Sequence, residues 1–171
     1  MTGRRGLHYL SGDATALAGA VPFIDRVFRE EFDLPIADRV AKELDRVAAA
    51  FDANRDVIEI AENDGGLIGI LVGAHDDAGP TPNTRVHYLA VDPAQRGRGV
   101  GRELLSRGLE SCRQKRLALL RARSLALSSA APRLFWMFGF RVIDVTPFTA
   151  AGRTRELLHF EKRLSPPTAS P

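Results

Sequence analysis

The sequence predicts an α/β (α+β) fold, with one mixed, mostly antiparallel sheet of about seven strands flanked by about four helices. Three observations predict it. Apolar runs of strand length alternate with segments whose apolar residues recur at helical spacing. Two strand pairs are joined by short polar connections, one of them the tight-hairpin signal "NDGG" at residues 63–66. One run reads strand, glycine turn, helix, strand, and is satisfied by a right-handed crossover between parallel strands.

The elements follow in order. "GLHYLS" (residues 6–11) reads as a first strand, and Asp13 is placed to cap the helical turn after it. Residues 14–32 carry apolar side chains at helical spacing, with a break expected at Pro22. A second helix over residues 36–51 puts Val40, Leu44 and Val47 on one face. "DVIEIAEN" and "GLIGILVGAH" are strands joined by the "NDGG" turn. "DDAGPTPN" is a polar hairpin loop, and "TRVHYLAV" (84–91) is the next strand. The helix in "GVGRELLSRGLESCRQK" collects Val100, Leu104, Leu105, Leu109 and Cys112 on one stripe. "RLALLRARS" starts almost wholly apolar, as a central strand does. A short helix over residues 130–138 precedes "FRVIDVTPF" and "TRELLHFEKRL", which "TAAGR" joins into a hairpin. The expected organisation is one domain over residues 1–164, with "SPPTASP" (165–171) as a frayed tail.

Composition narrows the function. A chain of 171 residues, 44% hydrophobic and 26% charged, suits one globular domain with a sizeable core. Its apolar runs are too short to span a bilayer, and "MTGRRGLHYL" has no apolar signal-peptide region, so no membrane association is expected. Cys112 is the single cysteine, which rules out an internal disulfide and a Cys-rich metal site and fits a cytoplasmic location. The histidines, His8, His75, His87 and His159, show no ligand spacing, so no metal is expected. The net charge of +3 comes mostly from arginine and is too mild to imply nucleic acid.

"RVHYLAVDPAQRGRGVGRELL" (85–105) concentrates the chemistry. Gly97, Gly99 and Gly101 remove Cβ atoms where a strand passes into a helix, so backbone N–H groups can converge on an anion. The first helical turn at Val100 leaves its N–H groups unpaired, and the macrodipole adds positive potential. A diphosphate suits this turn, with Arg96, Arg98 and Arg102 supplying charge-assisted hydrogen bonds. The Walker pattern needs a Lys-Ser/Thr pair that is missing, and the Rossmann pattern has other spacing and normally follows the first strand.

"LAVDPAQRGRGVGRELL" resembles the acyl-CoA-binding motif of the GCN5-related N-acetyltransferases (GNAT), (Arg/Gln)-x-x-Gly-x-(Gly/Ala), with Arg96, Gly99 and Gly101 in the defining positions. "LFWMFGF" (134–140) resembles the family's later "LYxxxGF" segment. The resemblance extends in element order over residues 7–164. It implies a GNAT-like fold whose fourth strand splays from the fifth through a β-bulge, opening a cofactor cleft. It also implies acetyl-CoA as co-substrate, with the pantetheine arm pairing with the backbone of Leu89, Ala90 and Val91. The acceptor is then an amine of a small molecule or a protein. Homodimers are common in the family.

Acetyl transfer to an amine requires a base, a stabilised thioester oxygen and protonation of the leaving thiolate. His87 is the candidate base, because an imidazole exchanges a proton near neutral pH. "HYLAV" resembles the corresponding stretch of arylalkylamine N-acetyltransferases. The alternative reading is a sheet-face histidine with a satisfied ring. Strand alternation places Tyr88 on the face opposite His87. Many relatives carry a catalytic Glu further up this strand, where Arg85 stands. Where the family has its Tyr acid this chain has Phe135, which lines the cofactor but has no proton to give. Ser128 stands where the family has Asn. Water, or a relay through Ser124, Ser128 or Ser129, takes that role, or else the protein binds acyl-CoA with little turnover. Cys112, on an apolar stripe, reads as core. Glu30, Glu31 and Asp33 in "REEFDLP" would attract an ammonium substrate, or form a solvated helix end.

Overall fold

The computed structural model describes residues 6–77, 82–128 and 130–165. Residues 78–81 of the expected loop at 76–83, the relay residue Ser129 and the tail beyond Ser165 lie outside the described residues. The element order is β1 (His8–Ser11), a 3-10 turn (Ala14–Leu17), α1 (Ala20–Phe32), α2 (Ala37–Ala49), β2 (Val57–Asn63), β3 (Gly66–His75) and β4 (Asn83–Val91). After a second 3-10 turn (Pro93–Gln95) come α3 (Val100–Gln114), β5 (Leu119–Leu125), α4 (Ala130–Met137), β6 (Arg141–Ala150) and β7 (Arg153–Arg163). The expected break at Pro22 is absent. Pro22 falls in the first turn of α1, where a missing N–H costs no intrahelical bond, and the interruption lies earlier, between the 3-10 turn and Ala20.

One sheet of seven strands runs in the order β1-β2-β3-β4-β5-β7-β6. Every neighbouring pair is antiparallel except β4–β5, the parallel pair that α3 connects. α1 and α2 cover one face, where Phe23, Ile24, Val27, Val40 and Leu44 pack on Ile58, Ile70 and Tyr88. α3 and α4 cover the other, where Leu104, Leu105, Leu109 and Cys112 pack on Leu71, Leu120 and Phe160. Burying each large aliphatic side chain contributes about 1.5–3 kcal/mol, so both helical layers are held mainly by their apolar stripes. No helix among the described residues is long and apolar enough to cross a membrane.

The sheet opens at one place. β4 and β5 pair only from Asn83↔Leu119 to Val86↔Ala122. Beyond Val86, β4 continues along β3 through Leu89↔Leu71, Ala90↔Ile70 and Val91↔Gly69, while β5 continues along β7. The register on β3 jumps from Gly73↔Val86 to Val72↔Tyr88, which makes His87 the extra residue of a β-bulge.

Candidate active site

A cavity of about 360 Å³ fills the opening between the two strands. Leu89, Ala90 and Val91 form one side, and Ser124 and Leu125 of β5 the other. On that side the last residues of β4 have no partner strand, so their polar backbone groups face the gap. Gly97, Gly99, Val100, Gly101, Arg96 and Arg102 close one end. Gly97 and Gly99 take φ of +72° and +81°, the left-handed region, and a Cβ on either would meet no protein atom within 4 Å. Packing therefore does not require glycine at either position, whereas the left-handed φ favours it. The first intrahelical bond of α3 runs from the Glu103 N–H to the Gly99 carbonyl at 2.9 Å, so the amides of Val100, Gly101 and Arg102 precede it. The free strand edge and the amide-rich turn, one at the side and one at the end of the same cavity, fit the amide-bearing arm and the diphosphate of a coenzyme A thioester.

Two ion pairs tie this turn to α1. Arg26 donates to Asp92 at 2.9 Å, and Arg96 donates to Glu31 at 2.6 Å. The hydrogen bond from Arg26 leads the causes that hold the Asp92 carboxyl below its usual range. Glu31 also accepts from the Ser128 hydroxyl at 3.3 Å, and Ser128 Oγ accepts the Ala131 amide at the start of α4, also at 3.3 Å. Glu31 and Ser128 therefore both stand on the cavity wall. Glu30 is elsewhere, paired with Arg26 at 3.4 Å, and Asp33, the left-handed residue ending α1, pairs with Arg153 at 2.7 Å. Arg98 turns outward to Gln95 at 2.6 Å. Each of the three carboxylates at the end of α1 thus already has an arginine.

The other end of the cavity holds His87, Tyr88 and Arg123 around Glu43. Glu43 is within 2.5 Å of His87 Nδ1, accepts the Tyr88 hydroxyl at 2.6 Å, and accepts Arg123 at 3.3 Å. Burial alone would raise its carboxyl pKa; the hydrogen bonds from His87 and Tyr88 and the charges of His87 and Arg123 overcome that and hold it down to about 2. An ionised carboxylate only accepts, so the His87 Nδ1–H donates to it, and Nε2 is the ring nitrogen that Glu43 does not engage. Burial, then the hydrogen bond to Glu43, pushes the Tyr88 phenol up, so it stays protonated. The expected opposition of His87 and Tyr88 does not hold. The bulge at His87 interrupts the two-residue alternation, and both side chains reach the same carboxylate.

Phe135 is on the inner wall but 1% exposed, its ring 5.1 Å from each of Phe140 and Phe160. Ser124 lines the cavity and donates to the Leu125 carbonyl at 3.3 Å. Arg85 lies at the zipped end of β4, bonded to Asp76 at 2.5 Å. Cys112 is buried in the core, and burial pushes its thiol up to about 12, which leaves no nucleophile there. Glu43 is the residue that sequence reasoning missed. Its signal is a carboxylate inside an apolar stripe, three residues after Val40 and four before Val47.

The model of the acetyltransferase (GNAT) family matches residues 23–140. No curated protein matches the sequence. Among solved structures, the chain is similar to an acetyltransferase of the GNAT family from Streptococcus pneumoniae, at TM-score 0.73 and 16% identity over 93% of this chain and 99% of that one. It is similar to a protein from Salmonella typhimurium described as a candidate acetyltransferase with its cofactor acetyl-CoA, at TM-score 0.70 and 20% identity over 98% of both chains. It is also similar to the ribosomal-protein-S18-alanine N-acetyltransferase from Escherichia coli, at TM-score 0.71 and 16% identity over 96% and 98%. At these identities the likeness concerns the fold.

Proposed function

From the premise that this chain belongs to the acetyltransferase (GNAT) family, we propose that it moves an acetyl group from acetyl-CoA to a primary amine by direct attack in a ternary complex. The observation that carries this reading is the bulge at His87, which puts a carboxylate-held imidazole on the wall of the cavity that ends in the glycine turn. Bound acetyl-CoA supplies a thioester carbonyl as the electrophile. The Leu89, Ala90 and Val91 backbone holds its amide-bearing arm. The turn at Gly97, Gly99, Val100 and Gly101, with Arg96 and Arg102, holds its phosphates, while Arg98, turned outward, takes no part. Glu43 fixes the His87 tautomer, so Nε2 takes the proton that the amine loses as its nitrogen bonds to the acetyl carbon. Ser128 Oγ on the cavity wall is assigned as a hydrogen-bond partner of the leaving sulfur, since Phe135 offers none, and the thiolate takes up, through water, the proton that His87 received, which returns the ring to its starting state. A thiol with an ordinary pKa of about 8.5 leaves readily enough for a weak donor to suffice.

Phe135 favours a second reading, a module that binds acyl-CoA without turnover. Purified protein given acetyl-CoA and a broad panel of amines separates the two. Free thiol released above background, in proportion to acetylated amine, supports transfer. Saturable CoA binding with no release across the panel supports the binding module.

A further inference from the structure

The inference rests on the reading of the chain as an N-acyltransferase and concerns the charge and shape of the acceptor. The cavity passes through the gap from one face of the sheet to the other. Val100, Leu134 and Phe135 bound it on the α3–α4 side, where the glycine turn opens α3. Val27, Phe28 and Phe32 of α1 bound it on the α1–α2 side. His87 belongs to that second side, because the carboxylate that holds it stands on α2. A coenzyme arm along the β4 edge, with its phosphates at the turn, leaves the α1 wall to the acceptor.

That wall is aromatic. The Phe28 ring lies 5.4 Å from Phe32 and meets Tyr88 edge-on at 6.3 Å between centroids, so a row of rings leads to the residue beside His87. Among the described residues that line the cavity, Glu31 is the only carboxylate, and it accepts from Arg96 at 2.6 Å and from Ser128 at 3.3 Å, at the turn end. At the His87 end the charge on the wall has the opposite sign. Arg123 lines the cavity, whereas Glu43, which accepts its Nη2 at 3.3 Å, does not. His87 and Arg123 reach the same oxygen, Oε1 of Glu43, so the guanidinium stands beside the imidazole. Tyr88 is no second base: burial first, then the hydrogen bond to Glu43, keeps its phenol protonated.

An alkylamine is, like a lysine side chain, a cation at neutral pH. It would need an anion to hold it here, and it would have to lose two protons, one before attack and one after, to a single base. An arylamine has neither need. Its lone pair is shared with the ring, so it arrives uncharged, and its flat ring packs on other rings. We infer that the acceptor is an arylamine, with its ring against Phe28 and Phe32 and its nitrogen at His87. The nitrogen lone pair forms the bond to the acetyl carbon, the carbon–sulfur bond breaks to give the thiolate, and one N–H proton passes to His87.

The test titrates the CoA-loaded protein calorimetrically, at neutral pH, with ring-substituted anilines and their benzylamine isomers, such as 4-methylaniline against benzylamine. The two members of each pair have the same atoms and differ in the charge on nitrogen. 4-Methylaniline binds about tenfold or more tighter, because benzylamine must shed the water around its ammonium with no anion to replace it. Arg123→Gln takes the cation off the wall, and raises benzylamine affinity severalfold while leaving that of 4-methylaniline unchanged. Phe28→Leu keeps an apolar side chain in place and weakens 4-methylaniline about twofold to tenfold, the range of one lost ring–ring contact, with CoA affinity retained as the control for folding. Equal affinities, tighter binding of the benzylamines, no heat from any aniline, or an aniline preference that neither substitution changes overturns the inference. Thiol release from acetyl-CoA is measured separately. Aniline-selective binding with no release by any amine would sink acyl transfer and leave the selectivity of this wall standing, whereas release driven by benzylamines and not by anilines would do the reverse.

Discussion

Among the described residues two histidines hold a carboxylate through Nδ1, one beside the start of β4 and one at its middle. His75 meets Asp56 at 2.8 Å beside the end where β4 is zipped to β5; His87 meets Glu43 at 2.5 Å where the two strands part. Both imidazoles are equally exposed, at 16%. The carboxylates differ. Asp56 is 1% exposed and also accepts the Asp52 and His75 amides at 2.8 and 2.6 Å, so it works as a staple between the loop before β2 and the end of β3. Glu43 accepts only side chains, two of them from the bulge and one from β5 across the gap. The same pair of groups thus closes a loop where backbone surrounds it, and presents an imidazole to the cavity where the sheet opens.

The largest effect that would break this contrast is on turnover. His87→Gln is expected to lower kcat about a hundredfold to ten-thousandfold, as loss of a general base does, while His75→Gln leaves kcat unchanged. Steady-state thiol release measures both, and comparable rates in the two variants would erase the distinction. The next effect belongs to the other pair. Asp56→Ala strands two backbone amides and the His75 ring, and is expected to destabilise the fold by about 3 kcal/mol in urea unfolding, with kcat intact at low denaturant.

A smaller effect sharpens the role of Glu43. Its carboxyl sits at about 2 in the fold against an ordinary 4.5. A depressed carboxyl stabilises the fold fully above the ordinary value, and that stabilisation is lost as pH falls through the lower one. Between pH 4.5 and pH 2 the wild type should therefore lose about 2 kcal/mol relative to Glu43→Gln, after discounting for partial solvation. Parallel pH-stability curves for the two proteins would refute the coupling. The smallest effect is at Phe135. Phe135→Tyr adds a hydroxyl to a buried ring that packs on Phe140 and Phe160 and lines the cavity, and should cost about 1 kcal/mol in stability with CoA affinity unchanged. A rise in kcat in that variant would show that proton delivery to the leaving sulfur limits the reaction.

Much of the zipped architecture was legible in the sequence. The "NDGG" turn joins β2 to β3 as expected, and β3 spans Gly66–His75 as the apolar run implied. The glycines after β4 announced a strand-to-helix turn because left-handed φ at Gly97 and Gly99 needs that residue type. The opened end was less legible. The family resemblance implied a bulge in the fourth strand but not its residue, so regular alternation put His87 and Tyr88 on opposite faces when the extra residue is His87 itself and brings them together. Glu43 was hidden for another reason: its partners lie 44 and 45 residues away, and only the tertiary fold brings α2 over β4. Which carboxylates at the end of α1 are free depended likewise on arginines far along the chain, Arg96 and Arg153.

The central claim is that the opened end of β4 and the glycine turn together form a coenzyme A site. Calorimetric titration of a CoA thioester into the wild type and into Gly99→Val tests it most directly, with circular dichroism verifying that both are folded. The account predicts saturable one-to-one binding to the wild type, and its loss in the variant, whose branched side chain cannot hold the left-handed φ that shapes the turn. No heat with the wild type, or equal affinity in a folded Gly99→Val protein, would contradict it.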